Sequence, residues 1–198
     1  MKKKNIAIMM NLLIILIEVI GLLVSIINYK KLLIEYYTVD SNIIALIASI
    51  LFLIDSHRYK RKISSITKIA KYTSCVSLLL TMLVSIFVLF PMDKFKTNIL
   101  LEGPMPIFHI ICPILVVISF VKFENYRFDN NDKYQTLIFT YAYGILLLVL
   151  NIMGLIVGPY PFLQVKNNTI IMQVISLTIL YIFTYFISSY IQKIKQKH

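Results

Sequence analysis

Tryptophan is absent from the 198 residues, cysteine occurs twice, histidine three times and glycine five times. The two cysteines, Cys75 and Cys112, fall in different apolar segments with no redox or zinc-ligand spacing. They read as small buried residues, and no disulfide is expected. No phosphate-binding glycine loop, Gly-x-Ser-x-Gly elbow or zincin motif occurs. Charge is scarce too: 15% of residues are charged and 59% are apolar. With a mean hydropathy of +0.80, the chain is too apolar for a soluble domain, and its length allows one compact unit. The little charge present is lopsided, at a formal +11. Nucleic acid is not implied, because no RNP, zinc-finger or helix-turn-helix pattern accompanies it.

What the chain does have is long apolar runs. Six are legible, at residues 6–27, 42–54, 72–90, 107–120, 135–157 and 169–191. The expectation is an all-α polytopic integral membrane protein, a six-helix bundle forming a single transmembrane domain over residues 1–198. The first run is long enough to cross a core of roughly 30 Å. It exceeds the h-region of a secretory signal and lacks a small-residue cleavage site. Run 42–54 is short unless Tyr36–Ser41 joins it. Pro91, the turn Gly103-Pro104-Met105-Pro106 and the turn Gly158-Pro159-Tyr160-Pro161-Phe162 punctuate the rest.

The basic residues sit beside these runs and orient them. Of the 20 Lys and Arg, 15 fall in alternate segments: Lys2–Lys4, Arg58–Lys71, Lys122–Lys133 and Lys193–Lys197. The other five are Lys30, Lys31, Lys94, Lys96 and Lys166. The positive-inside rule then puts both termini in the cytoplasm of a multi-pass protein of the cell membrane. Thr38, His109 and Tyr160 fall together at the outer boundary.

Polar residues are few enough to weigh singly. Asn11, Glu18 and Ser25 are seven apart and share one helical stripe, which should face protein. A lone carboxylate at mid-membrane costs several kcal/mol, so Glu18 should be paired or protonated. Ser74, Ser77, Thr81 and Ser85 recur at helical spacing, a pattern of helix–helix packing. The densest polar stretch is Glu35-Tyr36-Tyr37-Thr38-Val39-Asp40-Ser41-Asn42. One reading makes it a loop whose Asp40 or Ser41 caps the next helix. The other makes Thr38 and its neighbours one wall of a site. His109 is the only histidine inside an apolar run, since His57 and His198 lie in basic stretches. An intramembrane histidine is either a packing residue or a general base, and a threonine nucleophile needs such a base. One intramembrane histidine without paired cysteines makes no metal site.

Tyr-Tyr-Thr-Val-Asp-Ser-Asn at 36–42, His-Ile-Ile-Cys-Pro-Ile at 109–114 and Gly-Pro-Tyr-Pro-Phe at 158–162 occur in this order on these helices. The set resembles the androgen-induced-protein family of multispan membrane proteins, especially its small bacterial members, over nearly the whole chain. Animal members are threonine hydrolases of fatty acid esters of hydroxy fatty acids, using a membrane-embedded threonine and histidine. The resemblance implies Thr38 as nucleophile and His109 as base. It carries no role to Asp40, which stands where the family often has an amide.

The leading expectation is an intramembrane hydrolase of lipid esters without a cofactor, with membrane lipids as its surroundings. Ser41, Asn42 and Tyr160 would contact the acyl group or the oxyanion. The cavity beside Thr38 and His109 should otherwise be walled by hydrocarbon. The competing expectations are a small transporter or lipid-binding protein with Glu18 as coupling group, and a purely structural bundle.

Overall fold

The computed structural model describes residues 2–30, 35–58, 63–164 and 169–197. Lys31, Lys60, Arg61, Lys62 and Lys166, which enter the charge count, lie outside them together with His198, as do the side chains of Lys2, Arg58 and Lys197. Every regular element among the described residues is helical. In order they are α1 (Lys2–Tyr29), α2 (Tyr37–Arg58), α3 (Ser65–Met92), the one-turn α4 (Asn98–Leu101), α5 (Ile107–Phe123), α6 (Asp132–Ile152), a 3-10 turn (Pro161–Leu163) and α7 (Ile170–Lys197). Five of these, α1, α2, α3, α6 and α7, are long and apolar enough to cross a membrane. The chain is thus an all-α, multi-pass membrane bundle. The expected fourth run forms α5, which is apolar but shorter than the other five.

Helix α1 buries a seam at alternating spacings of four and three: Ala7, Asn11, Ile14, Glu18, Gly21 and Ser25. That spacing keeps one stripe on its partners, and Met9, Leu12, Leu16, Leu23 and Ile27 project outward. Gly21 is required by contact: a Cβ there would lie 2.7 Å from the Phe108 ring and 2.8 Å from Ile107. α1 therefore sits backbone-close on the start of α5.

Helix α3 is the central strut and packs against α2, α5, α6 and α7. Its residues from Lys71 to Ser77 are buried without a break. The expected small-residue stripe is buried throughout, with Ser74, Ser77, Thr81 and Ser85 all under 5% exposed. Serine hydroxyls satisfy themselves on the preceding turn, as in Ser74 Oγ to the Lys71 carbonyl at 2.9 Å. α3 starts at Ser65 and not near Tyr72, because Ser64 caps it by accepting from the Thr67 amide at 3.2 Å. Asp55 of α2 accepts from the Ser64 amide at 2.8 Å and fixes that turn.

Proline shapes α3 and α5 in the same way. Pro91 and Pro113 cannot donate to the carbonyls four residues back, those of Phe87 and His109. In both helices a five-residue π turn absorbs the lost bond, Ser85–Leu89 before Pro91 and Ile107–Ile111 before Pro113. The Phe90 amide reaches back to Ser85, and the Cys112 amide to Ile107. α3 stops at Met92, one residue past its proline. α6 stops at Ile152, short of the expected Val157. Gly154 takes the left-handed conformation there (φ +71°), and the Leu155 amide closes back on the Leu150 carbonyl at 3.0 Å.

Candidate functional site

The polar stretch before α2 is not a capping loop. The helix begins at Tyr37, so Thr38, Asp40, Ser41 and Asn42 lie in its first turns. Ser41 does not accept from the helix amides ahead of it. Its hydroxyl donates to the Thr38 carbonyl at 2.9 Å and meets the Thr81 hydroxyl at 3.1 Å. Asn42 Nδ2 donates to the same Thr38 carbonyl at 2.7 Å and approaches the Phe108 carbonyl at 3.5 Å. Two side chains thus clamp the Thr38 backbone, and one of them ties it to α5.

The Thr38 side chain meets His109, which occupies the middle of the π turn of α5. Thr38 Oγ1 lies 3.3 Å from His109 Nε2, and His109 Nδ1 lies 2.8 Å from the Ile99 carbonyl of α4. A carbonyl can only accept, so Nδ1 carries the proton. Nε2 of the neutral ring is then the acceptor, and the Thr38 hydroxyl donates to it. The arrangement is nucleophile, base and orienting group in series. Both side chains are buried, at 8% and 5% exposure.

Tyr160 comes to the same place from the loop after α6. It packs edge-on to Tyr36 with centroids 6.2 Å apart and stacks on Phe162 at 5.6 Å. Burial pushes its phenol up to about 12, with polar groups of Thr38 and Tyr37 pulling the other way. At neutral pH it is a proton donor beside Thr38. The loop is pinned to α6: Asn151 Nδ2 donates to the Leu163 carbonyl at 2.7 Å, and Gln164 Nε2 to the Gly158 carbonyl at 3.1 Å. A Cβ on Gly158 would fall 2.4 Å from Asn151 Nδ2 and 2.6 Å from the Leu163 carbonyl.

A cavity of about 550 Å³ opens against this group and is lined by Thr38, His109 and Tyr160. Its size suits a lipid or drug-sized ligand. A much smaller void, about 50 Å³, lies on the other side of Thr38 and Tyr160 among Leu80, Val84 and Leu177. Ser41 and Asn42 line neither. The large cavity is not walled by hydrocarbon alone. Val39, Leu89, Ile99 and Phe108 are joined by Tyr29, Tyr36, Asp93 and Glu102.

Glu18, Asn11 and Ser25 all face protein, each at 1% exposure or less. Among the described residues neither Glu18 oxygen makes a hydrogen bond of ordinary geometry; the Cys112 thiol lies against it and the Lys71 charge acts on it. Both cysteines are buried and free. Among the described residues, no three His, Cys, Asp or Glu side chains gather as metal ligands would.

A second polar cluster was not foreseen. Lys71, counted as a loop charge, is fully buried in α3 and pairs with Glu124 at 3.2 Å. Lys71 Nζ also donates to Asn11 Oδ1 at 2.7 Å and Ser49 Oγ at 3.3 Å. Glu124 accepts from Asn11 at 2.9 Å, Ser119 at 2.7 Å and the Tyr126 hydroxyl at 2.6 Å. Burial, reinforced by the Glu124 charge, pushes the Tyr126 phenol well above its usual range. The signal available in the sequence was Asn11 on the buried stripe of α1, which needs a polar partner. A cavity of about 390 Å³ beside this cluster is lined by Lys3, Lys4, Lys122 and Lys195.

Comparison with protein-family models, with curated proteins and with solved structures gives no match for this chain. What fold and site define is a class: a helical multi-pass membrane protein with a buried Thr–His pair on a ligand-sized cavity.

Proposed function

We propose that this chain is an intramembrane hydrolase of lipid esters, with Thr38 as nucleophile and His109 as general base. The observation that carries the reading is the ordered series Thr38 hydroxyl, His109 Nε2, His109 Nδ1, Ile99 carbonyl, set on the wall of a 550 Å³ cavity. The Thr38 oxygen attacks the ester carbonyl as Nε2 takes its proton. The resulting imidazolium returns that proton to the departing alcohol oxygen, and water then releases the acyl group from Thr38 by the same steps. The neutral Tyr160 hydroxyl is the donor for the developing oxyanion. Ser41 and Asn42 hold the Thr38 backbone in place. The 3.3 Å separation is looser than a reacting pair, as is usual without substrate.

The ordered motifs around Thr38, His109 and Tyr160 support kinship with the androgen-induced-protein family. The charge distribution supports six spans in the cell membrane, both termini in the cytoplasm and the site at the outer boundary. The test is labelling of purified protein with a fluorophosphonate probe, together with release of fatty acid from lipid esters. Both signals should vanish in Thr38→Ala and fall by orders of magnitude in His109→Ala. Wild-type labelling in a folded Thr38→Ala protein overturns the assignment. A transporter reading keeps one observation in its favour, the fully buried carboxyl of Glu18. Proton-coupled uptake lost in Glu18→Gln, with no esterase activity in the wild type, would establish it instead.

A further inference from the structure

The charge of the cavity at Thr38 runs against the charge of the chain. The protein carries a formal +11, with 20 Lys and Arg against nine Asp and Glu. Yet the described residues lining this cavity include two carboxylates, Asp93 and Glu102, and no lysine or arginine. The cavity beside Glu124 has the opposite character, with four lysines on its wall. Asp93 and Glu102 stand at the wet rim, half-buried and exposed respectively, and Thr38, His109 and Tyr160 form the floor. Lys96 lies 4.0 Å from Asp93 but is 66% exposed, so solvent screens it.

Two further features point to a ligand in the same space. Ser25 lines the cavity at 1% exposure, and its hydroxyl has no hydrogen-bond partner. A buried hydroxyl left without a partner is costly, and a ligand in the cavity is available to satisfy it. The phenol rings of Tyr29, Tyr36 and Tyr160 share the wall, with Tyr29 in electrostatic reach of both Glu102 and Tyr36. Aromatic rings with nearby carboxylates are the surroundings that bind ammonium groups.

Resting on the ester-hydrolase reading, we infer that the polar part of the substrate carries an ammonium group, seated at the rim between Asp93, Glu102 and the tyrosines. Ser25 hydrogen-bonds the polar linkage below it. The rim disfavours esters that carry a free carboxylate. It also helps expel the fatty acid that hydrolysis releases, since that product is an anion.

The experiment compares three esters with one acyl chain on the purified protein: decanoylcholine, its uncharged isostere 3,3-dimethylbutyl decanoate, and the anionic 3-decanoyloxypropanoate. The cationic ester should have the highest kcat/KM and the anionic ester the lowest, separated by on the order of tenfold at low salt. Raising ionic strength should narrow the separation. In Asp93→Asn/Glu102→Gln the ratio of cationic to anionic ester should fall toward one. Equal rates for all three in the wild type, a preference for the anion, or a ratio indifferent to salt and to the double substitution overturns the inference. Binding of the same esters to Thr38→Ala, followed by calorimetry, separates this outcome from failure of the hydrolase reading. A protein that hydrolyses none of them yet binds decanoylcholine over the anion sinks the chemistry and keeps the rim. Hydrolysis of all with no charge preference does the reverse.

Discussion

The Lys71–Glu124 cluster and the Thr38–His109 pair are both buried and polar, and they are built in opposite ways. Glu124 is saturated. Lys71, Asn11, Ser119 and Tyr126 all converge on its carboxylate at 2.6–3.2 Å. At Thr38 the key contact is long, at 3.3 Å, and a 550 Å³ cavity lies alongside. Ser25 Oγ, on the wall of that cavity, has no partner. A saturated buried pair has its electrostatics spent on holding helices together, and losing either member strands a charge. An under-satisfied group facing a cavity has bonding capacity left for a ligand. The difference lies in the groups themselves, since a cavity of about 390 Å³ lined by the unpartnered Ser56 hydroxyl also borders the Glu124 cluster.

The comparison breaks if the two clusters respond alike to mutation. The largest expected effect is on chemistry: Thr38→Ala should take ester hydrolysis to background, and His109→Ala should lower it by roughly 10²–10⁴-fold. Unfolding in detergent should change little in either. Thr38→Ser should keep part of the activity, because a hydroxyl remains. His109→Lys should fail, because an ammonium cannot accept the proton.

The scaffold cluster should show the mirror image. Lys71→Met alone should destabilise the protein by about 3–5 kcal/mol, since it leaves Glu124 buried without its cation. Lys71→Met/Glu124→Leu should recover a good part of that loss. Thermal unfolding of the purified variants measures both. A single substitution that leaves stability untouched would show that the pair does not brace α3 against α1 and α5.

The two regions were not equally legible in the sequence. The all-helical membrane bundle followed from apolar runs, and the buried faces of α1 and α3 from their spacing. Helix ends were harder. Ser64 as a cap and Gly154 as a stop compete with propensity over only a residue or two, and the apolar pattern does not register them. Thr38, His109 and Tyr160 could be named because polar groups are conspicuous in hydrocarbon. Their meeting depends on the π turn before Pro113 and on the pinned Gly158–Gln164 loop, which are properties of the packed chain. Lys71 was misread because a lysine near the end of an apolar run looks like a topology signal. Only the fold shows Glu124, 53 positions further along the numbering, closing on it.

Glycine contacts give a smaller effect that sharpens the distinction. Gly21→Ala drives a methyl into Phe108 and should cost about 1–3 kcal/mol of stability. Gly158→Ala is as crowded, against Asn151 and Leu163, but lies in the loop that carries Tyr160. Its main readout should be kcat, through displacement of the proposed oxyanion donor. A Gly158→Ala enzyme with normal kcat and reduced stability would move that loop from the site to the scaffold.

The smallest expected effect falls on the boundary between the two roles. Ser41 and Asn42 both donate to the Thr38 carbonyl, at 2.9 and 2.7 Å. The carbonyl lies inside α2 and also accepts the helical bond from the amide of residue 42, so losing either side-chain donor leaves it satisfied. Ser41→Ala should therefore cost only about 0.5–1.5 kcal/mol, the net value of one hydrogen bond, and Asn42→Ala about the same or slightly more for its link to Phe108. Hydrolysis should slow by a few-fold in each, because the remaining donor still fixes the backbone of the nucleophile. The double variant should lose about the sum, since the carbonyl keeps its helical bond from the backbone amide of residue 42. Measuring kcat and unfolding for the two singles and the double closes the cycle. A loss well beyond the sum would mean that the two side chains hold the nucleophile jointly. A single substitution as damaging as Thr38→Ala would mean that one of them touches the substrate itself.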